Sequence, residues 1–460
     1  MSLVPKSLVG AIALTLVLYA GSLHAAETTS VPPPDPLLVS LIEEALARNP
    51  DVLAAQEAVD AARNRPAQAR SLPNPMLSVA YTNDGWSPTL GTQDMTTLAF
   101  MWGQDLPYPG KRALRGNILA READQVEQQL ERTKLGVVAR VKRAYYALML
   151  SRELLDLIRE QEEVWKQIEG VARARYVVGQ GAQQDVLRVQ IEVTRIEQLR
   201  TEQQAEIQVR GAELNRLLNR PATSPLETKA RLALGRFEGG LDDTVERLSG
   251  ISPELKSAGV GVERAALAVA LARKEFKPDF SVQAGYMNRG GLDPMWQAGI
   301  GVSVPLYRKR LSAGLAEATA QVRSMERLAE SVRLQLRFRT QERFAQLTAT
   351  ERIAELYNRG IIPQDRMSVD AAVANYQTGK VPFIAVLEAL TTLYSDRATH
   401  LGLLANHERI RASLEEASLE ETSSMAAGAS GMAVGGSSVG PAGGAMAARA
   451  PAGASMGAGQ

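Results

Sequence analysis

The chain has 460 residues, is 45% hydrophobic and is close to electroneutral, with 52 Lys and Arg against 51 Asp and Glu. That balance argues against nucleic acid as a partner. The absence of cysteine removes disulfides, thiolate metal sites, a cysteine nucleophile and a lipid-modified N-terminal cysteine.

In chain order, residues 1–26 read first, as a secretory signal peptide. Lys6 supplies the positive end, Leu8 to Tyr19 form an apolar run too short to span a bilayer, and Ala25-Ala26 offer small residues for cleavage. No later segment stays apolar for the roughly 18 residues that a spanning helix needs. Any further membrane crossing must therefore use strands.

The rest of the chain is an internal repeat with a spacing of about 200 residues. Asn49-Pro50 corresponds to Ser252-Pro253, and Pro75 to Tyr81 corresponds to Pro278 to Ala284. Pro107-Tyr-Pro-Gly-Lys-Arg112 corresponds to Pro305-Leu-Tyr-Arg-Lys-Arg310, and Tyr176-Val-Val-Gly179 to Tyr376-Gln-Thr-Gly379. The repeats are placed at 27–240 and 241–421. Each reads as two short helices, two strands, a long helix, a break and a returning helix.

Strands are expected at about 76–82 and 96–106, then at about 279–287 and 296–306. Each alternates with period two. Phe280, Val282, Ala284 and Tyr286 oppose Ser281, Gln283 and Gly285. Trp296, Ala298, Ile300, Val302 and Val304 oppose Gln297, Gly299, Gly301 and Ser303. One apolar face opposite a small polar face suits a barrel with lipid outside and water inside, and equally a soluble sandwich with one buried face. Residues 83–94 and 287–295 carry the Gly, Asn, Asp and Pro of exposed hairpin ends.

Helical hairpins are expected at about 113–219 and 313–416. The first long helix has no proline over 113–175, a length of roughly 95 Å. Leu119, Ala123, Val126, Leu130, Thr133 and Val137 recur at coiled-coil spacing, as do Ala318, Val322, Met325, Ala329 and Val332. The breaks at Gly179-Gln-Gly181 and Gly379-Lys-Val-Pro382 place the hairpin tips at 176–185 and 376–385. Residues 422–460, rich in Gly, Ala, Ser and Met, are expected to be disordered. Met425, Met432, Met446 and Met456 read there as incidental.

Four strands cannot close a membrane barrel, whose smallest form has about eight, and an open edge in lipid leaves backbone groups unpaired. Strands of this kind in a membrane require several copies of the chain. Two or three copies satisfy that arithmetic alike.

From Leu106-Pro-Tyr-Pro-Gly-Lys-Arg112, Val304 to Arg310, Ala174 to Gly181 with Asp185-Val-Leu187, and Tyr376-Gln-Thr-Gly379 with Val386 to Tyr394, the chain resembles the TolC-type outer membrane factor family, most closely members serving heavy-metal RND efflux pumps. The resemblance covers roughly 37–416. It implies a mainly helical protein with long α-helical hairpins forming a periplasmic tunnel. It also implies a homotrimer whose four strands per protomer make a twelve-stranded barrel in outer-membrane lipid. The implied partners are a periplasmic adaptor and an inner-membrane RND-type pump. The duct performs no chemistry and needs no cofactor or metal.

The same resemblance implies that the periplasmic aperture is closed by polar links between hairpin tips. Asp185 and Tyr376 match the family's aspartate and tyrosine. The position of a basic residue is Val381 here, with Lys380 or Arg175 as substitutes, and Gly179, Gly181 and Gly379 are the tip glycines. Asp185 reads equally as a helix N-cap after Gly181.

Two other readings stay open at this point, a type I protein-secretion conduit and a soluble periplasmic coiled-coil scaffold. There is no Walker loop, HExxH or GxSxG, so an enzyme is not expected. His400 and His407, seven apart, read as helix surface rather than a metal pair.

Overall fold

The computed structural model describes residues 35–90, 93–227, 231–235, 237 and 239–415. The expected signal peptide and the Gly/Ala/Ser/Met tail lie outside these residues.

Helices α1 (Pro36–Arg48) and α2 (Pro50–Arg70) open the first half, and α5 (Leu241–Ile251) and α6 (Pro253–Lys274) open the second. The repeat landmarks Asn49-Pro50 and Ser252-Pro253 are equivalent helix starts. Asn49 and Ser252 each accept a backbone N–H of the following helix with their side chains, and proline takes the first helical position, where its missing N–H costs nothing. Asn49 also donates its amide to the Leu217 carbonyl at 2.8 Å, which ties this corner to the far end of the first hairpin.

Strands β1 (Met76–Thr82), β2 (Thr97–Leu106), β3 (Asp279–Arg289) and β4 (Leu292–Ser303) form one antiparallel sheet in that order. Val79 pairs with Phe100, Phe100 with Tyr286, and Tyr286 with Trp296, so the apolar residues of all four strands share one face. Among the described residues nothing covers that face: Trp296 is 80% exposed and Ile300 79%. β4 starts earlier and stops sooner than the sequence pattern suggests. Gly290, at φ 66°, lets the chain turn tightly, so residues expected in a hairpin loop continue the ladder instead.

The long helix α3 (Lys111–Val177) has 67 residues, about 100 Å at helical rise, and α4 (Gln183–Leu217) returns beside it. The second hairpin departs from the expected single helix. α7 (Arg308–Leu356) passes through a π-helical turn at Tyr357–Ile361 into α8 (Ile362–Gln377), and α9 (Phe383–Glu415) returns. Pro363 is the physical reason. It has no N–H to give the Arg359 carbonyl and its ring crowds that turn, and widening the preceding turn relieves both problems. None of the described helices is long and apolar enough to cross a membrane.

The largest core lies where α1, α2 and α9 meet the middle of the hairpins, around Leu41, Val137, Tyr145, Leu148 and Leu214. The surface reading of the histidines needs correction here. His407 is fully buried, with Nε2 3.0 Å from Glu351 Oε1 and Nδ1 3.2 Å from Glu408 Oε1, while His400 is only half-buried.

A buried lysine stands where strands meet helices. The Lys111 side chain is 1% exposed, and its Nζ lies 3.0 Å from Asp279 Oδ2, 3.2 Å from Glu275 Oε2 and 3.2 Å from the Lys277 carbonyl. Asp279 also accepts the Tyr108 N–H at 2.6 Å and is held ionised below the usual carboxylate range by that bond and by Lys111, against the opposing effect of its burial. Lys111→Met is expected to cost about 1–3 kcal/mol. The loss stays below that of a fully buried pair because both carboxylates can return to water. The thermal midpoint of the purified protein measures it.

Candidate functional site

The two hairpin tips have the same backbone structure. In the first, α3 ends with Gly179 at φ 72°, whose N–H meets the Tyr176 carbonyl at 3.0 Å, and Gln180 N–H meets the Arg175 carbonyl at 2.8 Å. In the second, Gly379 at φ 75° meets Tyr376 at 3.0 Å, and Lys380 meets Asn375 at 2.9 Å. Only glycine takes this left-handed cap without strain, so the two glycines are equivalent stops. Gly181 is a different case. Its φ is ordinary, and a side chain there would press on Arg175 and Tyr176 at 3.1–3.3 Å.

The tips touch through the residues singled out in the sequence. Tyr376, 3% exposed, donates its hydroxyl to Asp185 Oδ2 at 3.3 Å. The Arg175 guanidinium lies over the Tyr376 ring, 4.6 Å from its centre, and donates to the Gln180 carbonyl at 3.0 Å. Lys380 is exposed and its ammonium takes no part in these described contacts, while Val381 packs partly buried against the tip core. Asp185 is not the N-cap. Ala182 holds that position, and Asp185 sits within the first turn, where it faces Tyr376 and favours the helix N-terminus.

Beneath the contact runs a ladder of rings that sequence reasoning passed over. Phe383 meets Tyr376 edge-on at 5.5 Å and Trp165 at 6.5 Å. Both Phe383 and Trp165 are 1% exposed. Burial, and secondarily the Asp185 charge, raises the Tyr376 phenol above its ordinary range, so it remains a hydrogen-bond donor at neutral pH. The arrangement can hold two helix ends together and can let them part. Among the described residues, no cluster of three or more His, Cys, Asp or Glu could hold a metal ion.

Farther up the second hairpin, next to the π-turn, Asp365 faces Asp396. Burial, then the Asp396 charge and their shared hydrogen bond, raise the Asp365 carboxyl above the usual range. The folded chain therefore holds this proton more tightly than the unfolded chain. The contribution to stability is complete below the ordinary aspartate range and is lost as pH rises through the raised value. Asp365→Asn is expected to raise the thermal midpoint at neutral pH and to leave it unchanged in acid below that range.

The model for the family described as outer membrane efflux protein matches residues 41–220 and 245–418. The chain belongs to the outer membrane efflux protein family. The two matched stretches fall one in each half of the repeat. Among solved members of this fold, VceC of Vibrio cholerae superposes with a TM-score of 0.71 at 20% identity, over 83% of this chain and 95% of that one. CusC gives 0.68 at 18%, over 84% and 92%. By sequence, the cobalt-zinc-cadmium resistance protein CzcC of Cupriavidus metallidurans is 22% identical over 376 residues, 80% of this chain and 86% of its own length. The outer membrane protein TolC of Vibrio cholerae is 22% identical over 384 residues, 78% and 84%. Membership of the efflux family sets aside the soluble-scaffold reading.

Proposed function

We propose that three copies of this chain form a passive exit duct in the outer membrane, fed by an inner-membrane RND-type pump through a periplasmic adaptor. The observation that carries this reading is the four-stranded sheet, whose two edges and apolar face are left uncovered by the described residues. In lipid, such edges must pair with other copies, because each unsatisfied backbone group costs several kcal/mol. Three copies give twelve strands, and the long hairpins then line a periplasmic tunnel that ends at the tips. The Asp185–Tyr376 contact, braced by Arg175, holds that end closed. Tyr176, Val177 and Val178 stand exposed beside it, an apolar surface for the adaptor.

Heavy-metal cations are the proposed cargo, supported by the likeness to CzcC. A duct of this kind carries no catalytic group and draws its energy from the pump. Reconstitution in planar bilayers tests the reading. Discrete, long-lived conductance steps are expected, and a preparation that never inserts contradicts it. Deletion in the host tests the cargo: sensitivity to cobalt, zinc or cadmium is expected. Sensitivity confined to organic acids would move the cargo toward that of the fusaric acid resistance protein FusA of Burkholderia cepacia, 25% identical over 252 residues.

A further inference from the structure

We infer that Met101, Met287 and Met295 form a binding site for a soft monovalent cation of the copper(I) or silver(I) class, on the face of the sheet that lines the duct. This deepens the cargo reading and rests on the proposed duct, because the site needs that face to meet water and passing ions. The strand registers place the three thioethers together. Met101 on β2 is opposite Ser78 and Gly285, and Gly285 is opposite Gln297. Met287 on β3 is opposite Ala99 and Met295 on β4. All of these lie on the face opposite Val79, Phe100, Tyr286 and Trp296. Met287 and Met295 are direct cross-strand neighbours. Met101 is the diagonal neighbour of Met287, roughly 7–8 Å away along the backbone and within reach of side chains this long.

Gly285 decides where the Met101 side chain goes. A Cβ at that position would press on the Met101 Sδ and stand 3.1 Å from its Cε. The missing side chain lets the thioether lie across β3 toward β4, where the Gln297 amide donates to Sδ at 3.4 Å. Met287 follows Gly285 by two residues on the same face, and Met295 precedes Gln297 by two. Three neighbouring strands therefore each bring a thioether to one patch. The patch adjoins the β3–β4 turn, at the end of the sheet away from the helices.

Core packing does not account for the arrangement. Around the patch this face carries small or polar residues, Ser78, Ala80, Ala99, Gln283 and Gly299. Met295 is 48% exposed, and Met101 and Met287 are only partly buried. A side chain that stays in contact with water gains little from the hydrophobic effect. What these residues offer is a group of neutral, polarisable sulfur donors. Thioethers suit a soft cation such as copper(I), whereas zinc and cobalt are held through thiolate, imidazole or carboxylate ligands. The four strands contain neither cysteine nor histidine. With no charged ligand among the three, the site releases what it binds, as a conducting path requires.

A triple variant of the full-length protein, Met101→Leu with Met287→Leu and Met295→Leu, tests the site, since leucine keeps the volume and removes the sulfur. Met367→Leu, on α8 and 63% exposed, is the control for a surface methionine. Silver(I) is the probe, in nitrate salts, with zinc(II) beside it. In equilibrium dialysis, the wild type and Met367→Leu are expected to bind silver several-fold more tightly than the triple variant, with no such difference for zinc. Equal silver affinity in the triple variant, or the same loss for zinc, overturns the site. In planar bilayers, silver is expected to reduce the wild-type current and to leave that of the triple variant unchanged. A reduction of equal size in the triple variant, or silver bound with no effect on the current, overturns the place of these residues in the conducting path. A protein that never conducts removes the duct reading, while dialysis still decides whether the three sulfurs hold the ion.

Discussion

Asp185→Ala is expected to raise single-channel conductance in planar bilayers and to lengthen the open dwell time. The bond it removes joins a buried phenol to a carboxylate, at 3.3 Å. A hydrogen bond to a charged group contributes about 1.5–3 kcal/mol, enough to move a closed-to-open ratio by about tenfold or more per protomer. Tyr376→Phe removes the donor and keeps the ring stacked under Arg175 and against Phe383, so it should open the duct to a similar degree. The double variant should then add little, because both single changes break the same contact. Conductance that is unchanged in both single variants, with trimers intact, would show that closure resides elsewhere.

Trp165→Ala is expected to have the largest effect on stability, and a local one. Trp165 is almost fully buried among Phe383, Val189 and Val386 in the core of the tip. Deleting so large a ring costs about 3–5 kcal/mol. The cluster is separate from the core around Tyr145 and Leu148, so the loss should appear as faster amide exchange over 165–200 and 372–394, with the middle of the molecule still protected. Trp165→Phe should be much milder. The indole N–H has no hydrogen-bond partner, so phenylalanine forfeits volume and no polar contact. Uniform exchange throughout the chain in Trp165→Ala would mean that the tip is not an independent unit.

The repeat made much of this fold legible, because each landmark has a local physical cause. Asparagine or serine before proline starts a helix, glycine ends one with a left-handed cap, and period-two alternation sets a strand face. These causes act within a few residues, so they can be read without the fold. The π-turn could not be read in that way, because the chain absorbs Pro363 by widening one turn and continues as helix instead of stopping there. Nor could the burial of Lys111, which depends on Glu275 and Asp279 far along the sequence. His407 looks like a surface residue until Glu351 and Glu408 are placed around it. At the tip, Asp185 and Tyr376 were reached by resemblance, since nothing in their spacing joins residues in different hairpins. Phe383 and Trp165 escaped notice because each occupies an ordinary core position of its helix.

The account stands on subunits completing one another's sheet, and the mass of the detergent-extracted particle by native mass spectrometry tests this most directly. A particle of three chains is predicted, stable in detergent and lost from solution without it. A single chain that remains monodisperse in water with no detergent would contradict the account.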